Sequence, residues 1–417
     1  MISSRSLVCL VAVVALMTPL ARSADDAANP WPQWQGPNRN NISPETGLLK
    51  EWPKGGPPLV WKIHGVGAGF STVSVAQGKI FTMGDASDAA YLFALNLDGK
   101  QLWKAQVGKT GGGGGYPGPR SAPAISNNLV VTLGQFGDLI CADVNSGDIK
   151  WHKNLKTDFN GKMMSGWGYA ESVLIDNGHV ICTPGGADGA MIALDLNTGN
   201  TVWRSTDEKD PAAYSSAIAV EIGGKRQYVQ LTGASVFGVA ADDGKLLWRA
   251  ERTGKTAVIP TPVFKDDSVF VTSGYGIGCN LFHITAADGK FDAKEVYSNR
   301  EMKNHHGGVV LVGDYIYGAS DPGLLTCMKF KTGAVKWKDR DPGKGSLTCA
   351  DGNLYFREEG TGDVSLIQVT PDAYHLISRF KQPDRSTAKA WPHPVIADGK
   401  LYLRDQDLLL CYDVKQK

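Results

Sequence analysis

The chain has no excess of either charge. Its 43 Lys and Arg stand against 42 Asp and Glu, a formal net charge of +1 over 417 residues. That balance excludes a broad electrostatic pull toward nucleic acid or anionic lipid. The seven cysteines include no adjacent pair and no C-x-x-C. Without C-x-x-C-H there is no built-in haem to accept electrons. The glycine run 111–115, in KTGGGGGYPGPR, is followed by neither Lys-Ser/Thr nor a helical pattern, so it is no phosphate loop. It reads instead as a mobile lip over whatever lies beneath it. No G-x-S-x-G occurs, and no His/Asp arrangement argues for a nucleophile. A membrane-spanning helix needs about 20 apolar residues, and no stretch of the chain reaches that length.

The longest apolar run is residues 7–17 (LVCLVAVVALM), preceded by Arg5 and followed by Ala21-Arg22-Ser23. A basic start, a short apolar stretch and small residues at a cleavage site make residues 1–23 a signal peptide. The mature protein is therefore expected to be exported, periplasmic or extracellular, soluble and monomeric. Cys9 lies inside the apolar run and lacks the small-residue context that a lipid-attachment cysteine requires. The remaining cysteines (Cys141, Cys182, Cys279, Cys327, Cys349 and Cys411) are far apart in sequence, and buried thiols are the expected state.

Glycine is abundant, with 50 residues, as many short strands joined by tight turns require. The turns announce themselves by repetition. NLDGKQLW, DVNSGDIKW, DLNTGNTVW, AADDGKLLW and KFKTGAVKW all share Gly-x-x-x-Trp: Gly99/Trp103, Gly147/Trp151, Gly199/Trp203, Gly244/Trp248 and Gly333/Trp337. In DVNSGDIKW the alternating Asp143, Asn145 and Gly147 look like a calcium loop, but the last copy carries Lys329 and Lys331 where Asp143 and Asn145 stand. A calcium loop also needs a bidentate Glu at its twelfth position. The phrase is a hairpin turn, with glycine at positive φ and the polar side chain bonding the local backbone.

From Trp61 onward the tryptophans recur every 40–50 residues or so, the repeat length of propeller blades with four strands each. The gap from Trp248 to Trp337 spans two periods, with Tyr297 standing in a degenerate copy. Eight units open near Phe70, Ser121, Tyr169, Tyr214, Ile259, His306, Gly345 and Trp391. The last unit lacks a fourth strand, and the strand-like segment around Trp61 precedes the first unit. The expected fold is thus all-β: an eight-bladed β-propeller of four-stranded antiparallel blades, closed by an N-terminal strand that completes the C-terminal blade. Residues 24–58 form a lead-in segment and residues 59–417 the propeller domain. The motif tryptophans are expected to pack between neighbouring blades.

The A-x-D-x-x-T/S-G-x-x-x-W phrases, most complete at 142–151 and 193–203, and the opening WPQWQGP at 31–37 resemble the pyrroloquinoline-quinone-type repeat propellers. That family includes quinoprotein dehydrogenases, an outer-membrane assembly (BamB-like) scaffold and exported proteins without assigned roles. For a dehydrogenase the resemblance implies a planar quinone held between a tryptophan and a disulfide of adjacent cysteines. Calcium bound by Glu and Asn would polarise the quinone, with an Asp as base. The adjacent cysteines and the Asp-x-Asn-Arg-Gly phrase are missing here. A Glu171–Asn304 calcium pair follows only by that analogy.

Some residues escape the repeat. Trp167 and Trp391 lie outside Gly-x-x-x-Trp, each just before an innermost strand. Near them stand Arg120, Tyr169, Glu171, Tyr214, Tyr275, His305, His306 and His393. The candidate binding residues at the channel mouth are Trp167, Arg120, Trp391, Tyr169, Glu171 and His305. Aromatic faces, a guanidinium, a carboxylate and imidazoles suit a planar anionic ligand. The competing expectation is that the rings only close the mouth of the propeller. His305 and His306, if in a strand, point to opposite sides and cannot share a metal. No catalytic residue and no metal site is assigned. The expected function is an exported binding module for an unidentified protein or small molecule at the central channel, with no secure cofactor. The alternative is a quinone-dependent alcohol or sugar dehydrogenase with a separate electron acceptor.

Overall fold

The computed structural model describes residues 30–417; the expected signal peptide and Cys9 lie outside them. Each repeated phrase sits where a third strand hands the chain to a fourth. In 138–154, Asp138–Asp143 pairs with Ile149–Asn154, and the turn between them closes through Asp143. Its Oδ1 accepts the amides of Asn145 (2.8 Å) and Ser146 (3.1 Å), and Oδ2 accepts from Asn128 (2.8 Å). Gly147 has φ 77° and donates its amide to the Asp143 carbonyl at 2.9 Å. The Lys329 copy keeps that last bond, Gly333 to the Lys329 carbonyl, with no acid at all. The carboxylate shapes the turn through both of its oxygens.

The glycines do a second job that their φ does not reveal. A Cβ at Gly147 would stand 2.6 Å from the Trp103 ring, one at Gly199 2.7 Å from Trp151, and one at Gly244 2.3 Å from Trp203. The tryptophan of one blade lies flat on the turn glycine of the next. Its indole N–H then donates to a carbonyl of that neighbour: Trp61 to Leu97 (2.8 Å), Trp103 to Val144 (3.1 Å), Trp151 to Leu196 (2.8 Å) and Trp203 to Ala241 (3.0 Å). Trp337 reaches Thr370 at 2.9 Å, and Tyr297 substitutes with its hydroxyl on the Phe330 carbonyl at 2.8 Å. Trp248 alone of the series turns inward, to Gln227 of its own blade (2.8 Å). The next blade explains this. Its outer hairpin, Gly278–Ala287 with Lys290–Asn299, is ten residues a side, and its turn glycine Gly289 has open space where a ring would lie.

Eight sheets follow around a ring, and no helix occurs among the described residues. Blades 1 to 7 span 74–108, 124–154, 174–204, 218–251, 263–299, 309–339 and 345–380. Blade 8 takes three strands from 395–413 and its outermost from Leu59–Ile63, which pairs antiparallel with Leu408–Asp413, Trp61 opposite Cys411. The eight-bladed ring closed by an N-terminal strand is therefore present. The hydrophobic clusters run from blade to blade, and all six cysteines within the described residues are buried and unpaired.

Residues 31–43 of the lead-in segment occupy the centre of the ring. Trp31, 1% exposed, bridges Val75, and the Pro32 carbonyl accepts the Ile125 amide, both near the far ends of inner strands. Residues 33–41 then turn over through left-handed Gln35, Arg39 and Asn41. Arg39 donates to the Ser172 and Val173 carbonyls, and Asn41 to that of Leu347. Ile42–Ser43 finally adds a fifth, parallel strand to the inner edge of blade 7, against Cys349 and Ala350. The central channel is thus not open: a looped segment of this chain fills it and binds blades on several sides.

Candidate functional site at the mouth of the ring

All inner strands begin on one face, so the segments leading into them converge there. They enclose a cavity of about 160 Å³. Phe70 comes from the entry to blade 1, Tyr116 and Arg120 from blade 2, and Trp167, Ala170 and Ser172 from blade 3. Tyr214, His305, His306 and Trp391 follow from blades 4, 6 and 8. Tyr275 is added from the middle hairpin of blade 5, and Trp34 from the plug. Trp34 is held by its indole N–H on Thr261 (2.9 Å) and packs 4.5 Å from the His393 ring.

Trp391 is the hub. Its ring lies 4.8 Å from Phe70, 4.7 Å from Tyr116 and 5.6 Å from His306, and its N–H donates to Glu359 at 3.1 Å. Across the cavity Trp167 stacks on Tyr214 at 6.1 Å. Arg120 links the two aromatic segments by donating to the carbonyls of Trp167 (2.8 Å) and Tyr116 (2.6 Å). It makes no ion pair among the described residues, and burial lowers its pKa. The Asp85 charge opposes that shift without contacting Arg120, and a guanidinium kept from water with no carboxylate in contact favours an anion arriving from outside.

The histidines lie in a loop, where strand alternation does not apply, and both His305 and His306 line the cavity with rings 5.2 Å apart and nearly perpendicular. The opposed orientation expected from a strand is not adopted. Lys344 donates to His305 Nδ1 at 2.8 Å, which leaves the proton on Nε2. Burial holds His305 down at about 4, with the Lys344 charge adding to the effect, and burial holds His393 at about 4. His306 is pushed well below its usual value, chiefly by burial. Both its ring nitrogens lack a hydrogen-bond partner among the described residues, although Nε2 lies 3.6 Å from a Glu359 oxygen. The imidazoles are neutral polar groups here.

The structure brings Trp167, Arg120, Trp391 and His305 together and sends Tyr169 and Glu171 elsewhere. Ala170 and Ser172 line the cavity, whereas Tyr169 and Glu171, in the same irregular run ahead of the inner strand at Leu174–Asp176, turn into the blade interface. Tyr169 donates its hydroxyl to the Pro184 carbonyl at 3.0 Å within the core. Glu171, 2% exposed, accepts from the Thr183 amide (2.8 Å), the Thr183 hydroxyl (3.1 Å) and Gln230 (3.1 Å). Trp34, Phe70, Tyr116 and Glu359 were not expected at the site from the sequence. Phe70 and Tyr116 could have been found by their place just ahead of an inner strand, the signal that marked Trp167 and Trp391. The glycine run 111–115 packs down rather than standing free. A Cβ at Gly114 would meet Trp167 Nε1 at 2.5 Å, and Gly111 is bonded to Asp85 (2.6 Å) and Gln135 (3.0 Å).

Burial raises the Glu171 pKa to about 7 from an ordinary 4.5, against the opposing pull of the Thr183 bonds and the Arg39 charge. A raised carboxyl favours folding fully below about pH 4.5, and that contribution is lost as pH rises through 7. Glu171→Gln should remove this slope, worth up to about 3 kcal/mol. Urea midpoints of both proteins between pH 4.5 and 7 read it; parallel curves would refute it.

The calcium implied by the family resemblance does not fit. Calcium takes six to eight oxygen ligands, yet no Asp or Glu side chain lines the cavity. Glu171 is committed to Thr183 and Gln230. Asn304, in another blade, donates its amide nitrogen to the Gly308 and Ala319 carbonyls, and its unpartnered Oδ1 is a single oxygen with no carboxylate among the cavity lining to join it. No group of three metal-binding side chains occurs among the described residues.

Among known proteins, residues 59–339 match the family described as outer membrane protein assembly factor BamB. A protein of that name from Burkholderia pseudomallei (strain K96243) is 25% identical over 276 residues, 61% of this chain and 63% of the relative. The match thus spans less than two thirds of that relative's length. BamB from Moraxella catarrhalis superposes with a TM-score of 0.57 at 15% identity, over 80% of this chain and 94% of that one. Quinohemoprotein alcohol dehydrogenase from Comamonas testosteroni gives 0.63 at 10% identity, over 95% and 82%. At such identities the superpositions speak for the fold alone.

Proposed function

From the premise that the chain belongs to the BamB family of quinone-type repeat propellers, we propose that it is an exported binding propeller whose recognition element is the cavity at the mouth of the ring. The observation that carries this reading is an aromatic cup, walled by Trp167, Tyr214, Trp391 and Tyr116, with one unpaired guanidinium and no carboxylate among its lining. Such a cup takes a planar, anionic group and disfavours a cation. The relatives' description as assembly factors supports a partner protein as the bearer of that group, and a free small molecule is the other bearer. We infer binding rather than catalysis because burial makes the imidazoles weak bases and no carboxylate lines the cavity.

Stacking plus one charge-assisted contact contributes on the order of 2–4 kcal/mol, about 30- to 1,000-fold in affinity. Calorimetric titration with 2-naphthoate should therefore detect binding that Trp167→Ala with Arg120→Lys abolishes while the melting curve is kept. The lysine retains the charge but cannot hold both loop carbonyls, so Trp391→Leu serves as a second, independent variant. Undiminished affinity in both would move the site elsewhere. If calcium and the quinone together gave a bound-quinone spectrum and dye reduction, the dehydrogenase reading would replace this one.

A further inference from the structure

A second cavity, of about 370 Å³, adjoins the first, and Trp167 lines both. It is framed by the glycine run, the turn at Gln135 and Phe136, and the long crossing from blade 2 to blade 3. No acidic side chain lines it, whereas Lys156 and Lys162 do, and neither ammonium forms an ion pair among the described residues. Two unpaired lysines at one cavity attract an anion as point charges.

Charge is not the whole pattern. Gln135, 1% exposed, gives its amide nitrogen to Asp85 (3.2 Å) and to the carbonyls of Lys109 (3.2 Å) and Gly111 (3.0 Å). These bonds fix the amide, and Oε1 is left buried without any donor. An acceptor in that state calls for a hydroxyl or N–H from an occupant. Phe136, 42% exposed, and Trp167 supply flat apolar faces. Glycine lets the wall segments pack closely: a Cβ at Gly113 would stand 2.4 Å from the Gly166 carbonyl oxygen, and one at Gly168 2.3 Å from that of Gln135.

We propose that this second cavity binds an acidic sugar. Its carboxylate or phosphate lies between Lys156 and Lys162, a ring face rests on Phe136 or Trp167, and a hydroxyl donates to Gln135 Oε1. An anion alone leaves Oε1 and the aromatic faces unused, and a neutral sugar leaves both ammoniums unused. The assignment does not depend on what fills the first cavity.

The test titrates the full chain with glucuronate, glucose 6-phosphate, glucose and inorganic phosphate. At least one acidic sugar should bind tenfold or more tightly than both glucose and phosphate, and the better of the two names the acid. Lys156→Gln with Lys162→Gln should weaken that acidic sugar tenfold or more, to the level of glucose. Both side chains are exposed, so folding is preserved, and 2-naphthoate binding at the first cavity should not change. Equal binding of phosphate and sugar phosphate, equal binding of glucose and the acidic sugars, no binding of either acidic sugar at millimolar concentration, or an unaffected lysine variant would each overturn the proposal. Loss of 2-naphthoate binding in the wild type, with acidic-sugar binding intact, would instead count against the first cavity only.

Discussion

Removing residues 30–63 should leave a chain with no cooperative thermal transition near that of the intact protein. The deletion strips the outer strand from blade 8, exposing the edge at Leu408–Asp413. It also empties the channel of Trp31, Arg39 and Asn41, which are 1%, 4% and 0% exposed. A buried tryptophan alone is worth about 3–5 kcal/mol. Lost bonds from Arg39 and Asn41 would strand the carbonyls of Ser172, Val173 and Leu347. The sum rivals the roughly 5–15 kcal/mol that holds a typical domain folded. Adding a peptide of residues 30–63 should restore part of the transition. A truncated protein that melts within a degree or two of the intact one would show that the segment is a mere appendage.

The second large effect separates two roles of glycine. Gly147 and Gly289 share a left-handed backbone, φ 77° and 72°. A Cβ at Gly147 strikes Trp103, whereas one at Gly289 meets nothing within 4 Å. Gly289→Ala should therefore cost only the conformational penalty, about 1 kcal/mol. Gly147→Ala adds displacement of the Trp103 ring and of its bond to the Val144 carbonyl, for about 2–4 kcal/mol in all. Urea midpoints of the two variants measure the difference. Values within about 0.5 kcal/mol of each other would mean that the ring is not seated on the glycine.

The ring was legible because its joint is repeated. Five copies of Gly-x-x-x-Trp mark five blades, and the polar residues that vary among them are those on which the joint does not depend. The exception at Trp248 could not be read, because it arises from the length of the neighbouring hairpin. Half of the cavity was legible for the opposite reason: Trp167 and Trp391 stand out by breaking the repeat. Tyr169 and Glu171 were misplaced by parity. Residues 169–172 alternate between cavity and blade interface, and which pair faces inward depends on a register that no local pattern sets. The plug left no periodic trace, since an irregular segment satisfied by carbonyls from distant blades has no local code.

Closure by the two ends of the chain also has a consequence in time. Asn41 meets Leu347 across 306 residues, and Glu45 meets Gly399 across 354. At a synthesis rate of about 5–20 residues per second, the early segment waits on the order of 20 to 70 s for its partners to be made. During that interval Trp31 can already pair with Val75 of blade 1, but Asn41, Glu45 and the strand at Leu59–Ile63 have no partners, and contacts of such long range form slowly. The ring is therefore completed only after its last blade has emerged, and the strand at Leu59–Ile63, although made early, is among the last to reach its final place.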